Sequence, residues 1–358
     1  ATTEIYTLSL HDALPIYENT LTWTKKLKNH SLTLLAGFSQ QMGKSAVFGA
    51  TAVMLTNENM GMSGMDEGAP SRITASRSVW TLNSFLSRLN YNYKSKFLLT
   101  ASMRADGSSK LAPENRWGYF PSAAMAYRIS SENFMQNINA VSDAKLRISY
   151  GATGNNRVSD FAYMSSISSS YNDYTFGNAT PSPGSRATAL GNASLKWETT
   201  LQFNTGIDIS LLKNRISFTG DYYSKKTTDL LLNAEIPYIS GYSTAYKNVG
   251  SISNKGFELT LNTVNVQRSD FKWNSGFNIS FNRNKILSLT DGQESIISTG
   301  GISASAKYIG KVGHPIAQFY GAIDDGLYSY DDFDVMTDGT YRLDRKSTRL
   351  NSSHVSQS

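Results

Sequence analysis

Six aromatic residues are the candidates for ligand contact: Tyr171, Tyr174 and Phe176 in one long Gly-, Ser- and Pro-rich stretch, and Tyr238, Tyr242 and Tyr246 in another. Aromatic faces stack on sugar rings and serve peptides equally well, while nearby Asn and Asp side chains hydrogen-bond hydroxyls. The same residue types can instead fold their own loop or line a membrane interface. Asp324, Asp325, Asp331, Asp332, Asp334 and Asp338 form an acidic run whose Asp332-Phe-Asp334 opens like a calcium loop. Met336 and the missing terminal Glu break that pattern, which leaves a solvated acidic loop. His11, His30, His314 and His354 are not paired at metal-ligand spacing. No nucleophile elbow, HExxH or phosphate-cradling Gly loop occurs. The sequence therefore predicts a chain that is not an enzyme, with no cofactor and no metal site.

Composition narrows the class further. The chain lacks cysteine, which excludes disulfides and thiolate metal sites. Its net charge of +6 comes from scattered Lys and Arg, so no stripe for nucleic acid is present. No run of apolar residues is long enough for a membrane-spanning helix. Tyr (20) and Phe (16) are abundant, yet the mean hydropathy is −0.34, a mixture that suits strands with one apolar and one polar face.

Alternation supplies those strands. Trp197, Thr199, Leu201, Phe203, Thr205, Ile207, Ile209 and Leu211 fall on one face, opposite Lys196, Glu198, Gln202, Asn204, Asp208 and Ser210. A helical period would mix these two sets. Leu146, Ile148, Tyr150 and Ala152 likewise oppose Lys145, Arg147 and Ser149, and Phe277, Ile279 and Phe281 oppose Asn278, Ser280 and Asn282. Several runs keep alternating for roughly 12–16 residues, more than the ~9–11 that a tilted membrane strand requires.

The connectors alternate short and long. Lys28-Asn29-His30, Lys94-Ser95, Lys213-Asn214 and Gln267-Arg268-Ser269-Asp270 are tight, whereas Gln41 to Ser78, Gly154 to Ser194 and Thr228 to Lys247 are long. Up-and-down membrane barrels pair short periplasmic turns with long external loops, and a Greek-key sandwich gives no reason for this alternation. The predicted class is all-β: an antiparallel up-and-down transmembrane β-barrel, present as a partial, open barrel of about ten or more strands.

Several strings then resemble the barrel of SusC/RagA-type TonB-dependent receptors. They are Arg104-Ala-Asp-Gly-Ser-Ser109, Asn115-Arg-Trp-Gly-Tyr-Phe-Pro-Ser122, Leu146-Arg-Ile-Ser-Tyr-Gly-Ala-Thr-Gly-Asn155 and Leu195-Lys-Trp-Glu-Thr-Thr200, followed by Asn248-Val-Gly250 and Asn254-Lys-Gly-Phe-Glu258. The resemblance implies a barrel of about 22 strands with a plugged lumen. It also implies a Bacteroidetes-type outer membrane, import of oligosaccharides or peptides powered by TonB-ExbB-ExbD, and a SusD-like surface lipoprotein as partner. A passive porin is the alternative, followed by a secreted β-rich adhesin or carbohydrate-binding module.

Residues 1–16 contain Glu4-Ile-Tyr-Thr-Leu-Ser-Leu-His-Asp-Ala-Leu-Pro-Ile16, which is similar to translated sequencing-adapter read-through. Residues 345–358 are similar in kind. Both ends are expected to be non-native, with 17–344 as part of the receptor barrel that lacks plug and TonB box.

Overall fold

The computed structural model describes residues 3–11, 15–55, 58–175, 181–290, 293–299, 307–320, 333–337, 339 and 341–343. The strands are β1 (Thr3–His11), β2 (Ile16–Leu27), β3 (His30–Val53), β4 (Ala69–Tyr93), β5 (Phe97–Ser108), β6 (Trp117–Arg128), β7 (Val141–Asn155), β8 (Ser166–Thr175), β9 (Pro181–Ala189) and β10 (Glu198–Leu211). They continue with β11 (Ile216–Thr228), β12 (Leu231–Glu235), β13 (Thr244–Asn248), β14 (Ser251–Gln267), β15 (Lys272–Ser288), β16 (Ser295–Thr299), β17 (Lys307–Lys311), β18 (Gln318–Tyr320), β19 (Phe333–Val335) and β20 (Tyr341–Leu343). Among the described residues no helix is long and apolar enough to cross a membrane.

Eleven strands form one sheet in the order β1-β3-β4-β5-β6-β7-β10-β11-β14-β15, with β2 also paired to β3. β1 runs along Ser45–Val53 of β3 and β2 along His30–Gln41, so together they make one interrupted edge line. The interruption falls next to Pro15, which has no N–H to donate but whose carbonyl accepts from Met42 N at 3.3 Å. Counting that line once leaves ten lines across an open sheet, as the alternation predicts. The remaining strands make small hairpins and sheets inside the long connectors: β8–β9, β12–β13, β16–β17–β18 and β19–β20.

Two compact units are present: residues 1–249 with 256–281, and 250–255 with 282–358. In the second, Ile286 is buried and its N–H donates to the His314 carbonyl at 2.9 Å.

Cross-strand register sets two faces. Lys25, Leu32, Tyr91, Leu99 and Met125 lie in one row across five strands, and Trp23, Leu34, Leu89, Ala101 and Ala123 lie in the next row on the same side. Among the described residues this apolar side carries no covering layer: Leu99, Ile148, Tyr150, Phe257 and Phe277 are between 41% and 58% exposed. A sandwich would have buried them against a second sheet.

Aromatic rings border that side at both ends. At the short-turn end His30, Tyr93, Phe97 and Tyr127 follow one another, with centroids 4.9 Å apart for Phe97 and Tyr127. At the long-loop end Phe38, Phe85 and Trp117 do the same, at 5.1 and 5.9 Å. Trp117 and Tyr127 bound β6 and are ten residues apart. At ~3.4 Å per residue and a tilt of ~40° that span is about 26 Å high, the height of a membrane barrel's apolar band.

One expectation is corrected. Gln41 to Ser78 is not a long connector, because β3 and β4 stay paired from His30↔Tyr93 to Val53↔Ala69 and only residues 54–68 link them. Main-chain pairing on both sides of this part of β3 holds it extended where hydrophobic alternation is absent. Within residues 1–16, expected to be non-native, Thr3–His11 pairs with β3 along its whole length. The backbone groups of an otherwise open edge recruit an extended segment there.

Candidate functional site

The long connectors gather at one end of the sheet and are pinned to it. Leu195-Lys-Trp-Glu198 carries much of this task, since Leu195 is fully buried and Trp197 nearly so. Both pack with Leu111, Phe120 and Val158 in a cluster that Ala162, Leu231 and Tyr246 also touch. Trp197 meets Phe120 edge-on at 5.4 Å, and its indole N–H donates to the Arg116 carbonyl at 2.9 Å. Strict alternation placed Trp197 with the outward-facing Leu201 and Phe203. The structure turns it inward because it precedes the first residue of β10 and is free of the strand's pleat.

The polar members of the same string tie loops together. Lys196 Nζ lies 3.0 Å from Asp229 Oδ1. Glu198 accepts from Asn155 Nδ2 at 3.1 Å and from Leu231 N at 3.2 Å. Asn248 Oδ1 accepts from Lys196 N at 2.9 Å, while its Nδ2 donates to the carbonyls of Lys196 (2.8 Å) and Asp229 (2.9 Å). One amide side chain thus joins three segments. Arg104 donates through Nε to both Asp106 oxygens at 2.8 Å and through Nη2 to Ser84 Oγ at 3.0 Å. The wholly buried Ser108 accepts from Asn156 Nδ2 at 2.8 Å.

Beside this cluster lies a polar groove of about 730 Å3, lined among others by Asn115, Asn192, Ser194, Lys196, Asp229 and Tyr246. Its volume is within the usual range for small-ligand sites, about 300–1,000 Å3. Below the groove, the inner face of β7, β10 and β11 carries a charge network. Arg147 donates to Asp208 through Nε (2.9 Å) and Nη2 (2.8 Å), and Nη2 also reaches Asp221 Oδ1 at 3.0 Å. Lys145 Nζ completes it, 2.8 Å from Asp208 Oδ2. Gly206 lies opposite both Arg147 and Asp221. A Cβ there would stand 2.2 Å from Asp221 Oδ1 and 2.9 Å from Arg147 Nη2, so only glycine lets the charges meet across β10.

The six predicted aromatics fare differently. Tyr246 is half-buried, packs on the mouth cluster, contacts Ser159 Oγ through its hydroxyl at 3.2 Å and lines the groove. Tyr242 is half-buried nearby in sequence, just before β13. Tyr171 and Tyr174 belong to β8, and Tyr238 to a short 3-10 turn. Phe176 lies outside the described residues, as does most of the acidic run from Asp324. Among the described residues no group of three or more His, Cys, Asp or Glu could hold a metal. Sequence reasoning missed Asn192, Lys196, Asp229 and Asn248 as groove residues. For Lys196 and Asn248 the signal was their place in the family strings Leu195-Lys-Trp-Glu and Asn248-Val-Gly, which flank long connectors, and Asn192 stands just before the first.

An uncovered apolar face, a charged opposite face and loops collected at one end define an outer-membrane β-barrel wall. The TonB dependent receptor-like, beta-barrel family model matches residues 5–355, and the chain belongs to that family of outer-membrane proteins. It is 36% identical over 320 residues to TonB-dependent receptor P3 of Formosa agariphila, covering 88% of this chain and 32% of that protein. It is 40% identical over 219 residues to TonB-dependent receptor SusC of Bacteroides thetaiotaomicron, covering 60% of this chain and 22% of that one. It superposes on the RagAB peptide transporter with a TM-score of 0.76 and 27% identity over 90% of this chain and 35% of that one. The chain therefore spans about a third of the length of these P3 and RagAB relatives.

Proposed function

We propose that the chain forms part of the wall and outer mouth of an importer that carries oligosaccharides or peptides across the outer membrane. In this reading TonB-ExbB-ExbD supplies the energy through a part of the receptor beyond this segment, and a SusD-like lipoprotein covers the mouth. The observation that carries it is the loop end: a polar groove, held in shape by buried Trp197 and Leu195, above an inner wall crossed by the Arg147 network. Similarity to a peptide transporter and to SusC supports the class of cargo. Tyr171, Tyr174, Phe176, Tyr238, Tyr242 and Tyr246 are proposed as ligand contacts in this mouth. Residues 17–344 are proposed as receptor barrel, with 1–16 and 345–358 as non-native read-through; resequencing the source locus tests that division.

The functional test is uptake of labelled oligosaccharide and peptide mixtures by cells carrying the full-length receptor, with and without TonB. Accumulation that vanishes without TonB is expected. Equal entry in both strains would make the protein a passive pore and overturn the reading.

A further inference from the structure

The outward side of β2–β5 has a gap in its apolar wall. A groove of about 620 Å3 lies there, bounded by Leu21, Trp23, Leu34, Leu89 and Met103. Register explains it. The row Leu21, Ala36, Ser87, Met103 and the row Trp23, Leu34, Leu89, Ala101 place three short side chains, Ala36, Ser87 and Ala101, between long ones. The groove therefore reaches the main chain at Leu35, Arg88 and Ser102, whose side chains belong to the other face. On the lipid side of a barrel an unfilled gap forfeits dispersion contacts, so hydrocarbon must occupy it.

One row nearer the short turns stands Lys25, level with Leu32, Tyr91 and Leu99. It is the one basic residue in the outward column Tyr17, Asn19, Leu21, Trp23, Lys25, Leu27 of β2. A charge is costly at the bilayer centre and tolerated near the interface, where a lysine stem lies along apolar surface and its ammonium reaches the headgroups. The aromatic border puts Lys25 at that level. His30 Nδ1 is 2.8 Å from the Tyr91 hydroxyl, and Lys94 Nζ lies 5.5 Å from the Tyr93 ring centre on the adjoining turn. Short turns face the periplasm, so this rim meets the inner leaflet.

We propose that this wall holds one anionic glycerophospholipid of the periplasmic leaflet, with an acyl chain in the groove and its phosphate against Lys25. Apolar length and positive charge stand one row apart, in the order that a lipid presents tail and headgroup.

The test uses the full-length receptor in nanodiscs of phosphatidylethanolamine with a minor share of phosphatidylglycerol, released into native mass spectrometry. One phosphatidylglycerol retained above its share of the disc is expected. Lys25→Gln should cut that enrichment about fivefold, the weight of one basic residue at an anionic surface. Ala36→Leu with Ser87→Leu should abolish retention by filling the groove, and heat-dependent gel mobility shows whether each variant still forms its barrel. Should that double variant fail to fold, Lys25→Gln decides alone. Retention at the bulk lipid ratio, preference for phosphatidylethanolamine, or an enrichment unchanged in Lys25→Gln would each overturn the proposal.

Discussion

Ser102 and Met103 are neighbours in β5 but belong to different environments. Met103 stands with Ala36, Ser87 and Leu21 on the uncovered apolar side. Ser102 faces the other way, its hydroxyl 2.7 Å from that of Ser122 and the charge network of Arg147 on the same side two strands on. The outward side has little packing of its own and depends on lipid. The inward side pairs polar groups such as Ser102 with Ser122 and Arg147 with Asp208, and among the described residues its hydrophobic cluster lies at the loop end. Stability that the protein itself supplies is thus concentrated at the mouth, where the loops must be held in shape.

The largest expected effect follows from that concentration. Trp197→Ala in the full-length receptor removes a nearly buried ring and the bond to the Arg116 carbonyl. A loss of about 3–5 kcal/mol is expected for such a truncation, read as a lower urea midpoint for unfolding from liposomes. A loss no larger than that of a surface substitution would mean the mouth is not the stabilised region.

The paired substitutions Met103→Arg and Ser102→Arg test the two faces directly. The outward arginine lies close to the middle of the band and should cost ~2–4 kcal/mol, while the inward one should stay within about 0.5 kcal/mol. Equal costs would erase the distinction between lipid side and lumen side.

Arg147→Met should cost less, roughly 1 kcal/mol, because the pair with Asp208 is about a third exposed and solvent screens it. Its sharper signature is a double-variant cycle with Asp221→Asn. Coupling is expected if the charges meet over Gly206, and simple additivity would separate them.

The smallest effect lies outside the band, at the short-turn end. Hydrogen bonding from Lys96 Nζ, 2.5 Å away, and then from the Tyr127 hydroxyl holds the Glu132 carboxyl below its ordinary range. A lowered carboxyl stabilises the fold fully above its ordinary value, and the gain is lost as pH falls through the lowered one. Glu132→Gln should flatten that acid limb in a pH series of unfolding midpoints. An unchanged limb would remove the ion pair from the account.

Much of the wall was legible because two solvents write a period of two. Leu146-Arg-Ile-Ser-Tyr150 reads as a strand with Arg147 turned from the lipid, and the structure has it so. The upper halves of β3 and β4 were not legible, since Gln41–Val53 carries no clean alternation and is kept extended by partners on either side. Trp197 was misassigned because a period of two holds only inside a ladder, and this residue lies one position before it. Of the mouth, Tyr246 was named in advance, but Asn192, Lys196, Asp229 and Asn248 were not. Their roles come from loops that meet across long sequence separations.

By itself the sequence determined which side of strands such as β7 and β10 avoids water, because apolar and polar residues alternate locally there and each such strand carries its own record. The meeting of Arg147 with Asp208 and Asp221, the turn of Trp197 onto Phe120, and the gap beside Trp23 were decided by register between strands. Register is a property of pairs of segments, so no single segment specifies it.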